Sequence, residues 1–208
     1  ADPTPKDKNT LRDSQTQEVA ITDVMRLGEQ WSLWLGARHT QLSRSSVRTD
    51  GSRAVAYTQR FTTPWVALGY APWQGGYLYL SAGSGIESEV VPNRPDQFAN
   101  YGEVLPALRS RQQEIGFKQV LANAGLFTAT LFNLSKPFFA DTSAGSPENM
   151  RVAGGREVRH RGLELSWRGN VLPSLNLQAQ ATFLNARISN SLDPNEIGRR
   201  ARNVPSYN

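Results

Sequence analysis

Apolar and polar residues alternate along much of this chain. Leu175, Leu177, Ala179, Ala181 and Phe183 occupy one set of positions, and Asn176, Gln178, Gln180 and Thr182 occupy the other. A two-residue period is the mark of a β-strand with one apolar and one polar face. The pattern recurs over 162–168, where Leu163, Leu165 and Trp167 oppose Glu164, Ser166 and Arg168. It recurs again over 112–118, and over 77–83, where Leu78, Leu80 and Ala82 oppose Tyr77, Tyr79 and Ser81. The alternation predicts eight strands, over 17–27, 30–43, 55–71, 75–85, 109–121, 124–136, 155–169 and 174–188, and a ninth beginning near Val204. The segment 124–136 has two competing phases: Phe127, Ala129 and Leu131 share one face, while Leu126, Thr128 and Phe132 compete for it. No long helical period competes with the strands.

The connections between these strands come in two sizes. Those at 28–29, 72–75, 122–123 and 170–173 are short, and the alternate ones at 44–54, 86–108, 137–154 and 189–203 are long and polar. Short turns on one rim and long loops on the other are how transmembrane β-barrels are built. Trp31, Tyr70, Phe117 and Trp167 all fall near the short turns, where an interfacial aromatic girdle is expected. The fold class read from the pattern is all-β and antiparallel, a transmembrane barrel wall. Alternation alone also fits a soluble β-sandwich, because a lipid-facing surface and a protein core are both apolar.

Composition narrows the choice. The 208 residues are 38% hydrophobic with no run of about 18 apolar residues, so no apolar helix spans a bilayer. Barrel strands escape that test, because lipid-facing and lumen-facing residues average out as polar. The chain has no cysteine and two histidines, His39 and His160, which excludes disulfides and a cysteine or histidine metal cluster. The net charge of +5 is spread over scattered residues without a nucleic-acid motif. No Gly-x-Ser-x-Gly elbow or metal box points to an enzyme, and no catalytic residue is assigned.

Several segments, in order, resemble the barrel of TonB-dependent siderophore receptors, above all the ferrichrome-receptor branch. They are VAITDVMRLGEQWSLWLGAR at 19–38, TPWVALGYAP at 63–72, YLYLS at 77–81 with Gly85, Ile86 and Glu87, GEVLP at 102–106, RSRQQEIGFK at 109–118, LFNLSKP at 131–137, Gly154 and Gly155, RGLEL at 161–165, and NVP at 203–205. Two positions depart from the pattern: His39 stands where Tyr is usual, and Trp65 where Arg is common. The resemblance implies a receptor for ferric siderophores in the outer membrane of a Gram-negative bacterium. It implies a 22-stranded barrel closed by an N-terminal plug and energised through a TonB-type partner that contacts the plug. Residues 1–208 are then expected to be a partial barrel domain of about eight strands, with the plug and the C-terminal strands outside it. Lipid and lipopolysaccharide surround such a barrel, which acts as a monomer. The siderophore carries the iron, so no cofactor and no protein metal ligand are expected, and nucleic acid is not a partner. A porin-like or surface-adhesion outer-membrane barrel is the alternative.

Two sets of residues are singled out. Glu114 and Glu164 fall in EIGFK and RGLEL and, by strand parity, on the lumenal face beside Gly116 and Gly162, expected to leave the wall open to close approach. The resemblance implies that each pairs with a plug arginine. Tyr57, Arg60 and Phe61, near the outer end of one strand, and the neighbouring Tyr101 are candidates for contact with the siderophore. Aromatic rings offer flat apolar area, and arginine can meet carboxylate or hydroxamate oxygens.

Overall fold

The computed structural model describes residues 10–48, 51, 54–92, 94, 96–121, 125–143, 149–172, 174–202 and 204. Eight strands follow one another: β1 (Thr10–Leu27), β2 (Trp31–Arg48), β3 (Val55–Tyr70), β4 (Gly76–Glu87), β5 (Leu108–Leu121), β6 (Gly125–Ser143), β7 (Asn149–Leu172) and β8 (Leu175–Ser191). They form a single sheet in chain order, each antiparallel to the next. The tight turns therefore share one rim and the long connections the other. The turn expected at 122–123 lies outside the described residues. Val204 is not in a strand, and the rest of the expected ninth strand is outside the described residues.

Pairing between strands settles the ambiguous phase near 124–136. Phe127, Ala129 and Leu131 pair with Trp167, Leu165 and Leu163 of β7, so these six share the apolar face. Leu126, Thr128 and Phe132 belong to the polar one.

The connection expected at 137–154 is largely strand, and the one expected at 44–54 is strand as far as Arg48. β1 and β2 pair as far as Thr10↔Arg48, and β6 and β7 as far as Ser143↔Asn149. Backbone hydrogen bonds continue the ladder here without an apolar face. Where both faces of a strand are polar, the two-residue signal fades while the strand goes on.

Buried side chains concentrate at the rim of long connections. The β4–β5 connection, 88–107, folds back on the sheet, and its Val91, Phe98 and Leu105 pack with Phe139 and Ala153 of β6 and β7. The Ala99 N–H donates to the Asn149 carbonyl (2.8 Å), and the Asn149 N–H donates to the Gln97 carbonyl (2.9 Å). Residues after β8 return through a single 3₁₀ turn, η1 (Pro194–Glu196). They cover Val158, Ala186 and Ile188 with Ala201 and Val204.

Candidate functional site

Away from the bulges at Phe139, Ser189 and Val171, the register assigns the described strand residues to one of two faces. One level of the sheet runs Leu80, Ile115, Leu131, Leu163 and Phe183, each opposite the next. Leu80, Ile115, Leu131 and Phe183 are about half exposed, so no described residue covers this apolar face. Near the tight turns the same face carries the aromatic girdle. Trp31 stacks on Tyr70 with ring centroids 4.4 Å apart, and Phe117 lies 6.3 Å from Trp73. Trp167 shares this face beside Phe127.

The opposite face carries Ser32, Arg38, Tyr79, Glu114, Lys118, Glu164, Arg168, Asn176, Gln178 and Gln180. It is not uniformly polar. Trp34 and Trp65 share it and remain more than a third exposed. With Val24, Tyr77, Tyr79 and Lys118 they line a groove of about 700 Å³. Trp34 was not singled out from the sequence, and Trp65 only as a departure from the family pattern, although their parity relative to Leu33 and Val66 reveals their side of the sheet.

Glu114 and Glu164 sit on this face on β5 and β7, separated by β6. Glu114 accepts from the Ser81 hydroxyl (3.5 Å) and from the Gln112 amide. Glu164 is exposed and lies opposite Thr130 and Thr182. The two adjacent glycines do not open the wall as expected. The Tyr79 ring lies over Gly116, where an added Cβ would come within 2.1 Å of it, and the Tyr79 hydroxyl reaches Thr130 (3.0 Å). The Phe132 ring covers Gly162 in the same way, at 2.5 Å. The missing side chains make room for aromatic rings of the neighbouring strand rather than for a close approach from the interior.

The ligand candidates divide. Tyr57 and Phe61 pair with Arg44 and Thr40 on the polar face. Arg60 lies on the other face, where its Nε donates to Gln41 Oε1 (2.7 Å). Successive strand residues point to opposite sides, so Arg60 cannot join Phe61 in lining the interior. Tyr101 is exposed, in the connection that folds over the polar side next to Val55. Beneath that connection, Arg12, Arg44, Arg94 and Tyr57 line a groove of about 680 Å³ together with Glu89 and Val91. Arg12 and Arg44 were missed because the chain around them is polar at both parities.

One cation organises the folded connection. The Arg151 guanidinium donates to both Asp141 oxygens (2.7 and 3.0 Å) and to Glu89 Oε1 (2.5 Å), and lies 5.0 Å from the centre of the Phe98 ring. The hydrogen bond to Asp141 holds it above the ordinary arginine pKa; burial opposes this and the bond to Glu89 adds to it.

A sheet with an apolar, aromatic-edged outer face, a largely polar inner face and asymmetric rims is a section of transmembrane β-barrel wall. The polar face is then the lumenal one. The family model described as "TonB dependent receptor-like, beta-barrel" matches residues 1–208, and the chain belongs to that family. Among curated proteins, the ferrichrome receptor FcuA of Yersinia enterocolitica is 25% identical over 215 residues, covering 95% of this chain and 28% of that protein. Among solved structures, BauA, the ferric preacinetobactin receptor of Acinetobacter baumannii, superposes with a TM-score of 0.77 at 23% identity, over 96% of this chain and 29% of that one. The siderophore receptor PiuA of the same organism gives 0.73 at 18%, over 94% and 30%. The chain thus spans less than a third of the length of these relatives.

Proposed function

We propose that this chain is part of the wall of a receptor in the outer membrane of a Gram-negative bacterium that imports ferric siderophores with energy from a TonB-type transducer. The observation that carries this reading is the groove of Arg12, Arg44, Arg94 and Tyr57, on the lumenal side at the rim of long connections. Ferric siderophores present anionic or strongly polar oxygens around the metal, and guanidinium groups meet such oxygens through paired N–H donors. Tyr57, Phe61 and Tyr101 supply aromatic area beside them. The relatives' names point the same way: one is a ferrichrome receptor and another a ferric preacinetobactin receptor. The iron is cargo held by the siderophore, and the role is transport rather than catalysis.

The lumenal face suits a protein plug better than open water. Trp34 and Trp65 leave apolar area exposed on it. A plug that shields Glu114 and Glu164 from water must bring them a cation or several donors, or their charge becomes costly. Arginine meets that need with two parallel N–H donors. We assign the two glutamates to the plug contact.

The test uses the full-length protein that carries this chain. Binding and uptake of radiolabelled ferrichrome and of a ferric catecholate are measured for the wild type and for Arg44→Ala with Tyr57→Ala. Loss of a charge-assisted hydrogen bond and of ring contact is expected to weaken binding of the cognate siderophore about tenfold or more. Wild-type binding by the double variant, or uptake that survives removal of the transducer, would count against the reading. Glu114→Gln with Glu164→Gln is expected to leave barrel assembly intact and to raise amide exchange in the plug. Unchanged exchange and uptake would remove the two glutamates from that role.

A further inference from the structure

The strands of the sheet are not joined equally along their lengths. β3 pairs with β2 as far as Val55↔Ser46, and β4 pairs with β5 as far as Glu87↔Leu108. β3 and β4, however, pair with each other over Trp65–Tyr70 and Leu78–Gly83 alone. Continued, that register would set Ser84, Gly85, Ile86 and Glu87 opposite Pro64, Thr63, Thr62 and Phe61. Among the described residues no such pairs form. The wall therefore parts above Trp65 and Gly83, into one arm of β1 to β3 and another of β4 to β8. The residues at the fork explain it. Pro64 has no N–H to offer a partner strand. Trp65 leans its indole over Gly36 of β2, and Gly83, opposite it on β4, has no side chain to meet it. Ser84 pairs with Arg111 at this height, so the unpaired backbone begins at a polar level of the wall, where water can solvate it.

The groove of Arg12, Arg44, Arg94 and Tyr57 lies across this parting. Arg12, Arg44 and Tyr57 belong to the first arm, while Glu89, Val91 and Arg94 belong to the 88–107 connection. That connection is fixed to the second arm: Glu89 accepts from Arg151, and Val91 packs with Phe139 and Ala153. Among the described residues, the hydrogen bond that crosses the parting runs from Gln59 Nε2 to the Leu105 carbonyl (3.0 Å). The other amide atom, Gln59 Oε1, is buried there with no partner among the described residues. Arg12, Arg44 and Arg94 take part in no ion pair among the described residues. Of the two carboxylates at the groove, Glu89 is held by Arg151, and Asp13 sits at the outward parity of β1. Three uncompensated guanidinium groups in one groove repel one another, which favours banks that stand apart.

We propose that the parting between β3 and β4 is a clamp: a ferric siderophore held by Arg12 and Arg44 on one bank and by Arg94 on the other draws the two arms together and closes the wall beside it. Anionic oxygens between the banks replace the repulsion with charge-assisted hydrogen bonds to both. A ligand shifts an equilibrium only toward the state it contacts better. Closed arms are that state here, because one ligand then reaches all three guanidinium groups. The pairs from Trp65↔Gly83 to Tyr70↔Leu78 serve as the hinge. Neither arm has to rearrange, since each is continuously paired within itself. The clamp rests on the siderophore-receptor reading above and adds to it a moving part, the barrel wall.

The experiment uses the full-length protein with Thr62→Cys and Ile86→Cys, one on each arm and neither lining the groove. Closed arms bring the two opposite each other, within the roughly 4.4–6.8 Å between α-carbons that a disulfide spans. Disulfide formation is timed without ligand, with ferrichrome and with a ferric tris-catecholate, and binding of each radiolabelled complex is measured on the same samples. A complex that binds is expected to speed the bond about tenfold. Arg94→Gln leaves Arg12 and Arg44 to hold the ligand, and is expected to keep part of the binding and lose the acceleration. In the wild type, which needs no variant to fold, binding is expected to slow amide exchange over 61–64 and 84–87. A complex that binds without speeding the bond or slowing exchange overturns the clamp and leaves the siderophore reading standing. Equal acceleration in the Arg94→Gln protein does the same. If neither complex binds, the functional reading fails and the clamp fails with it.

Discussion

The middle of the wall and its outer end hold together by different means. Between the aromatic girdle and the outer rim, the apolar side chains of β4 to β8 meet only cross-strand neighbours among the described residues. Leu131 is 55% exposed and Ile115 is 50% exposed, and only the backbone ladder and cross-strand contacts join one strand to the next. At the outer end, the folded 88–107 connection buries Val91, Phe98 and Leu105 to 7% or less and is tied down by Arg151. The first region borrows its apolar environment from lipid. The second makes its own, as a soluble domain does. The same chain therefore obeys two burial rules, divided by height above the membrane.

That division can be broken from either side. Phe98→Ala removes a buried ring from the small outer core and is expected to cost about 3–5 kcal/mol. The effect should appear as faster amide exchange in 97–105 with the mid-wall strands unchanged. If the wall loosened equally, the two regions would be a single cooperative unit. Phe183→Arg places a charge on the lipid face at the level of Leu163, at a cost of about 2–4 kcal/mol near mid-membrane, whereas its neighbour Thr182→Arg adds one to the lumenal face opposite Glu164. Assembly of the full-length barrel, followed by heat-modifiable mobility, should suffer far more from the first. Equal effects would remove lipid as the environment of that face. The smallest effect is expected at the girdle: Trp31→Ala loses the stack on Tyr70, about 1 kcal/mol, read as a small drop in the unfolding midpoint. No change there would mean that the ring contributes through lipid contact alone.

The sides taken by Glu114 and Glu164 were legible from alternation, and so was the outward turn of Arg60, one residue from Phe61. The groove at Arg12 and Arg44 was not, because a stretch polar at both parities shows no face. Nor was the covering of Gly116 and Gly162, since the aromatic rings over them come from neighbouring strands.

By itself, the sequence determined the eight strands found among the described residues, which rim carries the short turns, and which residues within a strand share a side. A two-residue period is a local property of an extended backbone and can be read one segment at a time. Tertiary structure decided the phase of β6, the continuation of β6 and β7 beyond the apolar band, and the folding of 88–107 against them. It also decided that β3 and β4 part above Trp65 and Gly83. Each of these depends on register between segments remote in the chain. Backbone pairing sets that register, and a shift of one residue would send every side chain of a strand to the other face.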